Sequence, residues 1–179
     1  MASSFFIPII VAYSTLAISP PKARRLFRQA SAIVERDTSI RLRPIFIRQR
    51  IPRYRNVNAP EMLLSTYTAF FPLDERIHTI MIVPAGVNDR GLEAISGMAP
   101  ICGTRGIMTY GKKTMWEMNR TVLVHELGHM LGASHSDTAD VMNPMPNHVG
   151  IARKWEIGFS PESIKQITEC THTEIREPS

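Results

Sequence analysis

Apolar positions recur along the chain with two periods, and together they predict strands alternating with helices. Phe6 to Ser14, rich in Ile, Val and Tyr, predicts a buried first strand. A signal-peptide reading of Ser3 to Ala17 competes with it, but no Lys or Arg precedes that run and Pro8 interrupts it. Pro20-Pro21 ends this element and pre-sets the start of the next. From Lys22 to Arg36, Ala23, Leu26, Phe27, Ala30, Ile33 and Val34 return at three- and four-residue spacing, while Arg24, Arg25 and Arg28 fall outside that stripe: an amphipathic helix. Arg41 to Arg48 predicts a second strand, which Pro44 assigns to an irregular or edge position. Pro60 to Phe70 reads as a short helix. Ile77 to Val83, apolar on both faces, reads as a strand, and Gly91 to Pro100 and Gly106 to Tyr110 as two further short ones.

The strongest helical pattern follows. Thr114 with Glu117 three residues on is a capping-box signature and predicts a helix start at Met115. Trp116, Met118, Val122, Leu123, Leu127, Met130 and Leu131 continue it, and Gly132 stands where a helix end favours a left-handed residue. Ser160 as cap and Pro161 in the first turn predict a last helix over Pro161 to Glu169.

Composition narrows the class. The chain has 179 residues, 44% of them apolar and 21% charged, which suits one compact domain and excludes wholesale disorder and a disulfide-dense scaffold. A domain of this length buries roughly 70% of its unfolded surface, so a metal is not needed merely to fold it. Any metal site is then expected to do chemistry. No uninterrupted apolar run is long enough for a spanning helix. The net charge of +5 is uneven: Lys22 to Arg55 holds 11 basic residues against Glu35 and Asp37. Such a block suits a polyanion or a solvated face, but no nucleic-acid-binding motif accompanies it and aromatic residues are 7% of the chain. Cys102 and Cys170 lack the close spacing of a zinc knuckle or redox pair, and two free thiols or one disulfide both remain open.

Inside the capped helix lies His125-Glu126-Leu127-Gly128-His129. Residues four apart share a helix face, so both imidazoles can meet one cation. Glu126, one step round, reaches the side where a metal-bound water would lie. Gly132 lets the chain turn, and His135 follows as a third ligand, leaving a fourth position open for catalysis. Chance assembly of this string is on the order of one in ten thousand or less. The expected cofactor is therefore one zinc ion. Glu126 would act as general base toward the activated water, then deliver the proton to the leaving amine.

The string HELGHMLGASH, followed by Met142 in Val141-Met142-Asn143-Pro144, resembles the metzincin zinc endopeptidases with their methionine turn. HSDTADVMNP is similar to the matching stretch of matrix metalloproteinases, one residue shorter. Val141 to Pro144 and the stretch from Phe159 to Cys170 are more similar to the reprolysin (adamalysin, ADAM) branch. Motif-level similarity runs from Thr114 to Cys170; upstream only the order of elements agrees.

The resemblance implies an α/β fold: a twisted mixed sheet of about five strands, two backing helices, one of them carrying the zinc motif, and a small C-terminal subdomain ending in a helix. It divides a single catalytic domain into an upper part, 1–132, and a lower part, 133–179. It implies Met142 as an apolar floor beneath the ligands. In the reprolysin branch a cysteine after the edge strand pairs with one in the C-terminal helix, and Cys102 and Cys170 hold matching places. The edge strand pairs with extended peptide substrates, here Glu93, Ala94, Ile95, Ser96, Gly97 and Met98, although the same segment also reads as an ordinary edge strand. Pro144 to Gly158, with His148 and Trp155, would wall the specificity pocket. The chain departs from relatives in three ways: Asn143 and Pro144 leave no tyrosine ligand, His78 stands without a second-zinc cluster, and no latency segment is recognised.

The expected function is a monomeric zinc endopeptidase acting on an extended peptide, with nothing to indicate calcium. The possible disulfide and the resemblance favour an extracellular setting, although no convincing signal peptide is present. Two other readings stand beside it: a zinc-containing peptide-binding module without turnover, and a polyanion binder using Lys22 to Arg55.

Overall fold

The computed structural model describes residues 5–49, 76–87, 93–94, 96–138, 140–144 and 157–176. Strand β1 (Phe5–Ser14) leads into helix α1 (Pro20–Thr38) and back to strand β2 (Ile40–Gln49). Strands β3 (His78–Pro84), β4 (Gly86–Val87), β5 (Glu93–Ala94), β6 (Gly97–Met98) and β7 (Arg105–Tyr110) follow. Helices α2 (Trp116–Met130) and α3 (Pro161–Arg176) complete the described elements. The mixed α/β architecture expected from the sequence is the one observed.

The main sheet has five strands in the order β2-β1-β3-β7-β6. Its first four run parallel, and β6 is antiparallel to β7. β3 is buried along its whole length, as an apolar run in the middle of a parallel sheet requires. β2 lies at an edge, where Pro44 costs no central ladder bond. The strand period of two splits β1 between two cores: Ile9, Val11 and Tyr13 face the helices, and Ile10 and Ala12 face the opposite side with Met81, Val83 and Ile107.

In α1 the buried residues are Ala23, Leu26, Phe27, Ala30, Ile33 and Val34, the six that the sequence pattern selects. The helix ends at Ser39, which takes φ 63° and donates its N–H to the Glu35 carbonyl. α1 also grips a distant segment. Arg36 Nη2 donates to the Ile157 carbonyl at 2.8 Å, and Asp37 Oδ2 accepts from the Phe159 N–H at 3.0 Å.

Three local expectations need correction. The expected helix start at Met115 moves by one residue: α2 begins at Trp116, with Met115 at the cap position. Packing holds that end, with Trp116 Nε1 donating to Gln29 Oε1 on α1 at 2.7 Å. The expected strand over Gly91 to Pro100 is not continuous: β5 pairs with β4 in a separate two-stranded sheet, and β6 joins the main one. α3 runs on to Arg176, beyond the expected end at Glu169. Ser160 caps it as expected, its Oγ accepting from the Ser163 N–H at 3.2 Å. The short helix over Pro60 to Phe70 lies outside the described residues. Among the described residues no helix is long and apolar enough to cross a membrane.

Candidate active site

α2 carries the site because it is enclosed. From Leu123 to Met130 every residue is buried, so the helix is apolar around most of its circumference and its polar groups must find partners inside the protein. His125, Glu126 and His129 are those polar groups, exposed by 9%, 3% and 6%.

Each buried imidazole is fixed by a backbone carbonyl. His125 Nδ1 donates to the Val141 carbonyl at 2.8 Å, and His129 Nδ1 donates to the Ala133 carbonyl at 2.7 Å. A carbonyl oxygen only accepts, so in both rings Nδ1 carries the hydrogen and Nε2 is left with a lone pair. The two Nε2 atoms face one another 3.0 Å apart. Two lone pairs at that distance repel unless a positive charge lies between them. Two imidazole nitrogens on a tetrahedral zinc stand about 3.3 Å apart, given zinc–nitrogen bonds of about 2.0–2.1 Å. The residues present therefore fit a divalent cation.

His135 completes the triad. It is exposed, and one nitrogen from each of the three rings falls within 4.8 Å of the others. The turn that brings it round is made by Gly132, whose φ of 117° suits glycine. A Cβ there would also press on Cys170, 3.1 Å from its Sγ. Cys102 and Cys170 lie side by side with Cα atoms 6.1 Å apart, within the span of a disulfide. The Cys102 N–H donates to the His129 carbonyl at 2.9 Å, so a bridge here would join the end of α2 to α3.

Met142 is fully buried against the ligand helix. A Cβ on Gly128 would lie 2.5 Å from Met142 Sδ and 2.7 Å from Phe159 Cε1, so the thioether packs between the two ligand positions of α2. The adjacent turn is organised by Asp140, which the sequence reading missed. Its Oδ1 accepts from Ser136 Oγ at 2.8 Å and the Met142 N–H at 2.9 Å. Its Oδ2 accepts from the Ser160 N–H at 3.1 Å and Ser163 Oγ at 2.9 Å. Burial alone would raise this carboxyl, but the hydrogen bonds from Ser160, Ser136 and Ser163 outweigh it and hold it below the usual 3.8.

Burial pushes the Glu126 carboxyl up to about 8 in the metal-free chain. Its Oε2 has no hydrogen-bond partner among the described residues. Burial likewise lowers the pKa of His129, against the Ala133 hydrogen bond and helped by His135 nearby, which favours the neutral ring a metal requires.

Of the expected substrate segment, Gly97 and Met98 form the edge strand β6, with Ser96 just before it and Gly97 against Glu126. Glu93 and Ala94 belong to the smaller sheet, and Ile95 lies outside the described residues. Most of the expected pocket wall, with His148 and Trp155, is outside them too.

No protein-family model matches the chain, and no curated protein matches it in sequence. Solved structures do. An archaemetzincin from Methanopyrus kandleri superposes with a TM-score of 0.70 at 14% identity, over 93% of this chain and 96% of that one. Metalloproteinase-II from Bacteroides fragilis gives 0.68 at 14% identity, over 93% of this chain but 53% of its own. A zinc-dependent peptidase from Methanocorpusculum labreanum gives 0.58 at 14% identity, over 89% of this chain and 99% of that one. The fold is that of the archaemetzincin-like zinc peptidases. On this frame His125, His129 and His135 are grouped so that they could hold a metal ion. The finer expectation of a reprolysin or matrix-metalloproteinase branch gains no support from these neighbours.

Proposed function

We propose that the chain is a zinc-dependent endopeptidase whose ligands are His125, His129 and His135 and whose general base is Glu126. The observation that carries this reading is the facing pair of Nε2 lone pairs, with an enclosed, unpartnered carboxylate oxygen one residue away. A structural site has no use for such a carboxylate. When bound, zinc would supply Lewis acidity, polarising a peptide carbonyl and bringing the pKa of a coordinated water toward 7.

The chain's own residues do the rest. The Val141 and Ala133 carbonyls hold the two buried rings in the tautomer that presents Nε2. Glu126 takes a proton from the attacking water at Oε2 and passes it to the leaving amine. Enclosure of Glu126 keeps bulk water from competing for that oxygen. Met142 sets the floor under the ligand turn and so fixes the rings from below. An extended peptide would lie along β6. The proposed Cys102–Cys170 bridge suits an oxidising compartment.

Glu126→Ala tests the reading. Hydrolysis of a diverse peptide mixture should fall by at least about 100-fold, in keeping with loss of a general base, while zinc stays bound. Full activity in that variant would remove Glu126 from the mechanism. Binding of peptides without release of products by the wild type would favour a module without turnover.

A further inference from the structure

We infer that Gly97 is a positioning residue for Glu126: its missing side chain is the space in which the base is seated. The inference rests on the zinc-peptidase reading of Glu126 and adds a residue that acts through it.

A Cβ built on Gly97 would lie 2.5 Å from Cγ and 2.6 Å from Cδ of Glu126, and closer still to Oε1. These atoms are the stem and root of the carboxylate, not the tip of a loose chain, so the conflict calls for rotation of the whole side chain. Backbone conformation does not explain the glycine: among the described residues Gly132 is the glycine with positive φ, and Gly97 is not. Clearance does.

Neither element can easily retreat. β6 is pinned to β7, with the Thr109 N–H donating to the Ser96 carbonyl at 2.8 Å and the Ser96 N–H donating to Thr109 Oγ1 at 2.8 Å. α2 is pressed from both sides. On the sheet side a Cβ at Gly106 would meet Met130 Sδ at 2.9 Å, and on the far side Gly128 meets Met142. A methyl group at position 97 must therefore displace Glu126 itself, within an enclosure that exposes 3% of it. The antiparallel alternation adds a second consequence. Because the Ser96 carbonyl points at β7, the N–H and C=O of Gly97 point away from it. One residue thus touches the base through its Cα and offers its backbone groups to the outer edge.

The test compares Gly97→Ala, Gly106→Ala, Glu126→Ala and the Gly97→Ala/Glu126→Ala double variant, in activity, zinc content and thermal unfolding. In Gly97→Ala, kcat should fall by about 10- to 100-fold, the scale of an ångström-sized misplacement, with KM within about 3-fold and one zinc per chain retained. Gly106→Ala, which touches Met130 and not the base, should lower the unfolding temperature without that loss of kcat. In the Glu126→Ala background the same Gly97→Ala change should no longer lower the unfolding temperature, because its steric partner is gone. If Gly97→Ala alone does not fold, the double variant should. A Gly97→Ala enzyme with kcat within 2-fold of wild type overturns the inference, as does an equal thermal penalty in both backgrounds or a double variant that fails to fold. Retained activity in Glu126→Ala defeats the peptidase reading instead, while the thermal cycle still reports on the contact.

Discussion

Asp140 joins more parts of the site than any ligand does, and replacing it gives the sharpest structural test. Its carboxylate accepts four hydrogen bonds, from Ser136 Oγ, the Met142 N–H, the Ser160 N–H and Ser163 Oγ. They tie Ser136, the residue after His135, to the turn at Met142 and to the start of α3. A hydrogen bond to a charged group contributes about 1.5–3 kcal/mol net, and such bonds do not add when they share an acceptor. Asp140→Ala leaves two backbone donors without it, while the two hydroxyls can turn toward water, so the expected loss is about 3–5 kcal/mol. Asp140→Asn keeps one acceptor oxygen and should lose about 1–3 kcal/mol. Urea unfolding of the zinc-free proteins at constant m-value measures both. The pH dependence fixes the sign. The folded carboxyl lies below its usual 3.8, so its stabilisation is complete well above about pH 4 and is lost as pH falls through the lower folded value. The gap between wild type and Asp140→Asn should therefore narrow below pH 4. A change under about 0.5 kcal/mol in Asp140→Ala, or a gap that stays constant down to pH 2.5, would refute the reasoning.

Two further outcomes follow from the packing around the ligands. Gly128→Ala would drive a methyl into Met142 and Phe159, and zinc affinity, read by competition with a chelating dye, should drop by about 10-fold or more as the floor of the site shifts. The Cys102→Ser/Cys170→Ser variant removes a bridge spanning 68 residues; urea midpoints should show a loss of about 2–4 kcal/mol, and reductant should destabilise the wild type but not the variant.

How much of this was legible in the sequence depended on the range of each interaction. The stripe on α1 was readable residue by residue because three- and four-residue spacing is a local property. The same locality made His125, Glu126 and His129 readable, since helical geometry alone brings positions four apart together. Thr114 and Glu117 carried an equally local signal that located the helix start to within one residue, at Trp116, where a contact to α1 holds it. Asp140 gave no signal, and Gly97 read as part of the substrate strand but not as a neighbour of Glu126. The partners of Asp140 at Ser160 and Ser163 lie 20 and 23 residues away, and the contact of Gly97 with Glu126 exists only once β6 and α2 are packed. Arg36 and Asp37 read as surface charge, yet they hold Ile157 and Phe159 across more than a hundred residues. The edge segment was misread as one strand because short apolar runs do not disclose which sheet they join.

X-ray absorption at the zinc edge, on protein loaded with one equivalent of zinc, addresses the central claim most directly. Three imidazole nitrogens and one oxygen at about 2.0–2.1 Å are expected, with one imidazole fewer in His135→Ala. A sulfur shell near 2.3 Å, an all-oxygen shell, or a spectrum unchanged by His135→Ala would contradict the account.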